Sequence, residues 1–152
     1  MKTKYLQTLL LAGLFLAATL PAPAASSAAG TELDRAKQIR DVTGVRSGVI
    51  VHLGCGDGKL TAALRADDTC LVHGLDPDAK NIATARNNLQ SLGLADKVSV
   101  EQWTGQHLPY VNNLVNLVVV SGECAVPKDE LLRVLAPNGV AFFLNSQFAI
   151  RN

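Results

Sequence analysis

Apolar positions along the chain fall into short continuous runs separated by segments of helical spacing. Gly48-Val49-Ile50-Val51-His52-Leu53 is nearly continuous in apolar character and runs into a glycine cluster, the pattern of a strand buried on both faces of a parallel sheet. From Lys59 to about Arg65 the spacing turns helical, and Thr69 to Leu75 returns to a strand that stops at Asp76-Pro77. Asp76 is placed to cap the following helix, with Pro77 at its first position, where a missing N–H costs nothing. That helix carries Ile82, Ala85, Arg86 and Leu89 and stops near Gly93. Val98 to Trp103 alternates as a third strand, and Leu114 to Val120, apolar apart from Asn116, is a fourth. Asp129 to Leu135 is a short helix closed by Pro137-Asn138-Gly139, and Val140 to Leu144 is a fifth strand. Upstream, Thr31 is placed to cap a leading helix running to about Val42, with Gly44 as its terminator. Strands alternating with helices at this pace predict an α/β fold: a doubly wound, Rossmann-like, mostly parallel sheet with helices on both faces. Ligands in such sheets bind at the carboxyl ends of the strands.

The first two dozen residues have a different character. Lys2 and Lys4 precede an apolar stretch from Tyr5 to Leu20, followed by Pro21-Ala22-Pro23-Ala24. This is the layout of a secretory signal peptide over residues 1–24, cut before Ala25. The apolar run is shorter than the roughly 20 residues a helix needs to cross a bilayer; an uncleaved N-terminal anchor is the alternative. Residues 25–30 then read as a linker and 31–152 as one domain, placed outside the cytoplasm as a periplasmic or secreted protein. The membrane is expected to be met only through the signal segment.

Composition narrows the partner. A net charge of +1 and 5% aromatic content give no footprint for a polyanion and no stacking platform for bases, so a small-molecule site is expected and nucleic acid is not. The three cysteines, Cys55, Cys70 and Cys124, lack paired spacing and nearby His, so no metal site is expected. Whether Cys70 and Cys124 pair depends on the fold.

Chemistry concentrates in Gly54-Cys55-Gly56-Asp57-Gly58, where glycines allow a sharp turn and close approach to a ligand. Its G-x-G-x-G spacing fails the dinucleotide fingerprint, which would need Gly at Lys59, and the P-loop, which would need Gly at Leu53 and a hydroxyl at Leu60. A ligand without a pyrophosphate suits it. Eighteen positions after Gly58 comes Asp76, at a strand tip where a carboxylate can accept both hydroxyls of a ribose.

Val51 to Gly58, Gly74-Leu75-Asp76-Pro77-Asp78 and Arg133-Val134-Leu135-Ala136-Pro137-Asn138-Gly139 together resemble the class I methyltransferases, over about residues 45–145. The resemblance implies S-adenosylmethionine as cofactor, with Gly54, Gly56 and Gly58 passing under its methionine and ribose parts and Asp76 holding the ribose. It also brings Cys55, His52 and Thr104 into the binding set. The Arg133 segment is implied to be structural. The chain departs from the pattern in several places. His52 stands where members carry an acid, and is read either as a ligand contact or as a hydrogen-bonded structural residue. Thr104 or Gln106 replaces the acid expected after the third strand. Asn116 stands where an Asp is common in the fourth strand, and Ser121-Gly122-Glu123-Cys124 replaces the Asn-Pro-Pro-Tyr type of box, which disfavours amino-methylating nucleic-acid enzymes. Glu123 and His107 are the titratable candidates near the strand tips for a proton-transfer role, against the alternative that both are solvated loop residues.

Members also continue past the fifth strand into an antiparallel pair. Those C-terminal strands are expected to be missing here, leaving Val140 to Leu144 as an apolar edge to be covered by a partner chain or a further segment. The resemblance therefore implies methyl transfer to a small acceptor. The alternative is a non-catalytic scaffold or ligand-binding module of an exported protein, such as the methyltransferase-like segments that precede β-propellers.

Overall fold

The computed structural model describes residues 27–152 apart from Cys124; the signal segment and the predicted cleavage point lie outside the described residues. Four helices and six strands follow in the order α1 (Ser27–Thr43), β1 (Gly48–Leu53), α2 (Lys59–Leu64), β2 (Cys70–Asp76), α3 (Ala79–Ser91), β3 (Val98–Gln102), β4 (Val115–Val120), α4 (Lys128–Val134), β5 (Leu135–Phe143) and β6 (Phe148–Arg151). They form one sheet of order β3-β2-β1-β4-β5-β6. β1 pairs in parallel with β2 from Gly48↔Cys70 to Leu53↔Leu75, and with β4 from Ile50↔Leu117 to Leu53↔Val120. Chain order reverses between β1 and β4, the switch point at which such sheets open a ligand crevice.

The core is layered on both faces. On one, Ala36 and Ile39 of α1, Leu60 and Leu64 of α2, and Ile82, Ala85 and Leu89 of α3 cover Ile50, Val72, Leu117 and Phe142. On the other, Leu131 and Val134 of α4, with Leu108 from the β3–β4 connection, cover Val51, Leu75, Val118 and Ala141. Burying an aliphatic side chain of this size is worth about 1.5–3 kcal/mol, so the continuous apolar runs that marked the strands also supply the cohesion.

Three expectations are corrected, and one departure from the family pattern gains a structural role. The leading helix begins at Ser27, so residues 27–30 are helical rather than linker and Thr31 lies inside the helix; Gly44, with φ +76° and its N–H on the Arg40 carbonyl at 2.9 Å, does follow its end. Asp78, not Asp76, caps α3, its Oδ1 accepting the Lys80 N–H at 2.8 Å. This shifts the first helical turn past Pro77 and frees the Asp76 carboxylate for other donors. Asn116 sits at the start of β4, away from the ligand end, where its Oδ1 accepts the Val49 N–H at 2.9 Å. It stitches β4 to β1 and cannot act at the strand tips.

The third correction concerns the sheet edge. β5 is not bare: β6 pairs with it antiparallel from Phe143↔Phe148 to Val140↔Arg151. Arg151 Nη2 donates to the Thr43 carbonyl at 3.1 Å, and Asn152 Nδ2 donates to the Leu135 carbonyl at 2.7 Å. The reversal passes through Gln147 at φ +49°, a turn with no glycine or proline to announce it. β5 also starts earlier than predicted, because the register slips from Val115↔Leu135 to Leu117↔Val140. The intervening Pro137-Asn138-Gly139 bulges out, and a Cβ on Gly139 would lie 2.8 Å from the carbonyls of Ala136 and Val115.

Candidate functional site

The carboxyl tips of β1 and β2 are laced together by the backbone. Gly54 N–H donates to the Leu75 carbonyl at 2.8 Å, Trp103 N–H to the Asp76 carbonyl at 3.0 Å, and Ser121 N–H to the Leu53 carbonyl at 2.8 Å. Between them the chain leaves β1 through three left-handed residues, Gly54 (φ +74°), Gly56 (φ +54°) and Gly58 (φ +76°), where an L side chain is strained. Gly54 is required twice over, since a Cβ there would lie 2.3 Å from the Ser121 carbonyl oxygen. Around Gly56 the space is open, leaving a bare stretch of loop against which a ligand can lie.

Asp76 organises this loop. Its side chain is 4% exposed; Oδ2 accepts the Gly56 N–H at 2.9 Å, while Oδ1 accepts the Asp78 N–H at 2.9 Å and the Asn81 Nδ2–H at 3.0 Å. A carboxylate offers about four lone-pair sites, so acceptor capacity for one ligand hydroxyl remains after these donors. The predicted glycines and Asp76 are thus brought together, and the carboxylate has a role that sequence spacing did not suggest: it holds the loop's shape.

The other predicted contacts divide. Thr104 lines a cavity of about 110 Å³ over Gly54, with Leu53, Leu75, Pro77, Trp103 and Glu123 among its walls. The indole is fixed across it by Nε1–H donating to the His107 carbonyl at 3.1 Å. Gln106 lies outside that lining. Cys55 points the other way: its side chain is buried against Gly74, and burial, aided by the Asp76 charge, pushes its thiol up to about 12. Only its backbone faces the loop. Cys55 and Cys70 are free thiols, and Cys70 Sγ lies 3.4 Å from the Arg46 carbonyl. Cys124 lies outside the described residues.

His52 is not a ligand contact here. It is 2% exposed, with Nδ1 2.8 Å from Thr61 Oγ1 and Nε2 2.7 Å from Ser121 Oγ. Burial lowers its pKa to about 4, against the opposing pull of Asp76. The ring is therefore neutral near pH 7 and acts as a hydrogen-bonded strut between α2 and the end of β4. The unfolded chain takes up this proton near pH 6.5 and the folded one near 4. Stability is accordingly full above about pH 6.5 and falls by about 3 kcal/mol as the pH drops to about 4. Urea unfolding at stepped pH should show that slope in the natural chain and not in His52→Gln; equal slopes in both would refute it.

Of the two titratable candidates, Glu123 reaches the cavity wall and is exposed, whereas His107 does not line it. The His107 side chain is 92% exposed, with Nδ1 3.5 Å from Glu130 Oε2. It belongs to a clip that sequence spacing did not reveal. Glu130, 6% exposed, accepts the Leu108 N–H at 2.7 Å and the Arg133 guanidinium at 2.6 and 2.8 Å. Arg133 in turn donates to the carbonyls of Tyr110 and Leu108 at 2.9 and 3.2 Å. Chiefly the guanidinium contact, with the Leu108 N–H, holds the Glu130 carboxyl down to about 2. The partner of Glu130 outside its own helix, Leu108, lies 22 residues upstream and is set by tertiary packing.

An open α/β sheet with its switch point between β1 and β4, a three-glycine loop leaving β1 and a buried carboxylate bracing that loop define a doubly wound α/β domain. Residues 50–139 match the family model described as a methyltransferase domain, and the chain belongs to that family. It is 30% identical over 96 residues to methyltransferase GfsG of Streptomyces halstedii, covering 59% of this chain and 34% of that protein. The chain spans 34% and 39% of the lengths of the curated relatives it matches. Among solved structures it resembles a candidate S-adenosyl-L-methionine-dependent methyltransferase from Methanococcus maripaludis (TM-score 0.67, 23% identity, 76% of this chain and 55% of the other). It also resembles geranyl diphosphate C-methyltransferase from Streptomyces coelicolor A3(2), solved with Mg2+, geranyl-S-thiolodiphosphate and S-adenosyl-L-homocysteine (TM-score 0.64, 17% identity, 72% and 42%). At these identities the structural likeness establishes the fold.

Proposed function

We propose that this domain binds S-adenosylmethionine across the glycine loop and directs methyl transfer to a small acceptor. The observation that carries the reading is the Asp76 carboxylate, buried and bonded to the Gly56 N–H at 2.9 Å, with acceptor capacity left for a ribose hydroxyl. The residues fit the group in two further respects. The loop presents three left-handed glycines with open space at Gly56, and the cavity beside Gly54 has an aromatic wall in Trp103 and a hydroxyl in Thr104. Bound there, S-adenosylmethionine would supply an electrophilic methyl group, its carbon–sulfur bond breaking as the bond to the acceptor forms and a neutral thioether leaves. The chain's own contribution is alignment: β1, β2 and β4 fix the loop, Trp103 and Leu75 exclude water from one side, and Glu123 is the titratable side chain placed to take a proton where an acceptor must lose one.

Calorimetric titration of the full chain with S-adenosylmethionine and S-adenosylhomocysteine should give saturable heat at micromolar concentrations. No heat at high micromolar ligand would overturn the reading.

A further inference from the structure

Thr61, His52 and Ser121 form a hydrogen-bonded row from α2 through the end of β1 to the end of β4. Thr61 Oγ1 lies 2.8 Å from His52 Nδ1, and His52 Nε2 lies 2.7 Å from Ser121 Oγ. Thr61 is 0% and His52 2% exposed, so their hydrogens have to find acceptors within the row. The direction of the row follows. A threonine hydroxyl carries one hydrogen, and among the described residues His52 Nδ1 is the one hydrogen-bond partner of Thr61 Oγ1; Thr61 therefore donates and Nδ1 accepts. A neutral imidazole carries its single hydrogen on the other nitrogen, so Nε2–H donates to Ser121 Oγ. The reverse arrangement would strand the hydroxyl hydrogen of a fully buried threonine without an acceptor. Ser121 is left with its own O–H uncommitted. It lines a cavity of about 330 Å³ beside α1, the space into which that O–H is free to turn, and its carbonyl lies against Gly54 of the glycine loop.

The sheet order decides which part of a ligand that O–H meets. Trp103 follows β3, Asp76 ends β2, Gly54 follows β1 and Ser121 follows β4, and these strands lie side by side in the order β3-β2-β1-β4. A nucleoside with its base against Trp103 and its ribose on Asp76 directs its 5′ substituent across Gly54 toward Ser121, which stands two strand spacings, roughly 10 Å, from Asp76. On S-adenosylmethionine that substituent ends in an ammonium and a carboxylate, and of these the carboxylate is the one that accepts from an O–H. We propose that Thr61, His52 and Ser121 are a fixed donor relay, in which Thr61 holds the His52 proton on Nε2 and the Ser121 hydroxyl is thereby turned outward as a hydrogen-bond donor to the cofactor's carboxylate. Ser121 is then a binding residue, and the buried Thr61 is a positioning residue that acts through His52. An acid in place of His52 would take the Ser121 hydrogen for itself; the histidine leaves it to the ligand. The assignment rests on the cofactor reading above.

Nitrogen-15 spectra of the full chain, labelled in histidine, test the relay with no ligand present. His52 should appear as the Nε2–H tautomer near pH 7, and an Nδ1–H tautomer would overturn the relay. Calorimetry tests the contact, with S-adenosylhomocysteine and with its decarboxylated analogue, whose propylamine tail keeps the ammonium and lacks the carboxylate. Ser121→Ala should weaken S-adenosylhomocysteine binding about tenfold, the loss expected for a hydrogen bond to a charged group, and leave the analogue within twofold. Thr61→Val should weaken S-adenosylhomocysteine in the same selective way and release His52 into a mixture of tautomers, and Thr61→Ser should restore both. Unchanged S-adenosylhomocysteine binding in Ser121→Ala, equal losses for the two ligands, or a Thr61→Val chain that keeps both the Nε2–H tautomer and full selectivity would overturn the proposal. If neither ligand binds the natural chain, the cofactor reading fails and takes the carboxylate contact with it; binding of both ligands with no selectivity sinks the contact alone.

Discussion

Asp76→Ala is expected to lower S-adenosylmethionine affinity by about 100-fold or more. The substitution removes any hydrogen bond to a ribose hydroxyl, and it also leaves Gly56 N–H, Asp78 N–H and the Asn81 amide without the acceptor they share. Hydrogen bonds to a charged group are worth about 1.5–3 kcal/mol each, and about 1.4 kcal/mol is a factor of ten in affinity. Loss of the ligand contact alone accounts for roughly tenfold, and release of the loop for the rest. The two parts are separable. Asp76→Asn keeps one oxygen but must turn an NH2 group toward one of the three donors, so it should retain fold stability better than it retains ligand. Calorimetry and thermal melts of the two variants decide the point; an Asp76→Ala protein that binds within threefold of the natural chain would remove Asp76 from the site.

Glu130→Ala should destabilise the fold by about 3 kcal/mol, the cost of breaking one side of a buried, hydrogen-bonded ion pair. The consequence reaches the ligand cavity, because Glu130 and Arg133 pin the connection that carries Trp103 and Thr104 between β3 and β4. Amide exchange at Leu108 should accelerate in the variant while exchange within β1 and β4 tracks only the global loss. Retention of Leu108 protection would show that the clip is incidental. The same carboxylate governs acid stability below the His52 range. Its pKa is depressed in the folded protein from 4.5 to about 2, so its contribution is complete above about pH 4.5 and is lost as the pH falls through about 2. The natural chain should therefore lose stability in two successive acid steps, the first assigned to His52 and the second to Glu130.

The elements legible in the chain were those whose signal is local. β1 and β4 are nearly continuous apolar runs because both their faces are covered, β2 is covered except at Leu71, and α3 shows its spacing in Ile82, Ala85 and Leu89 on one face. β6 was missed because four residues, Phe148 to Arg151, carry too little pattern to announce a strand, and their pairing with β5 is made through a turn with no glycine. The cap of α3 was misplaced by two residues because Asp76 and Asp78 both satisfy the local rule; the Gly56 N–H, twenty residues upstream, takes the Asp76 carboxylate and leaves the cap to Asp78.

At the site the division follows the same physics. The glycine loop and its acid are legible locally, since left-handed backbone favours glycine and the spacing to Asp76 follows from one strand–helix–strand unit. The loop's spacing also determined which phosphate-binding loops this cannot be. What His52, Cys55 and His107 do is settled by the fold: burial makes the first a neutral strut and the second an inert thiol, and the third stands exposed beside Glu130, outside the cavity lining.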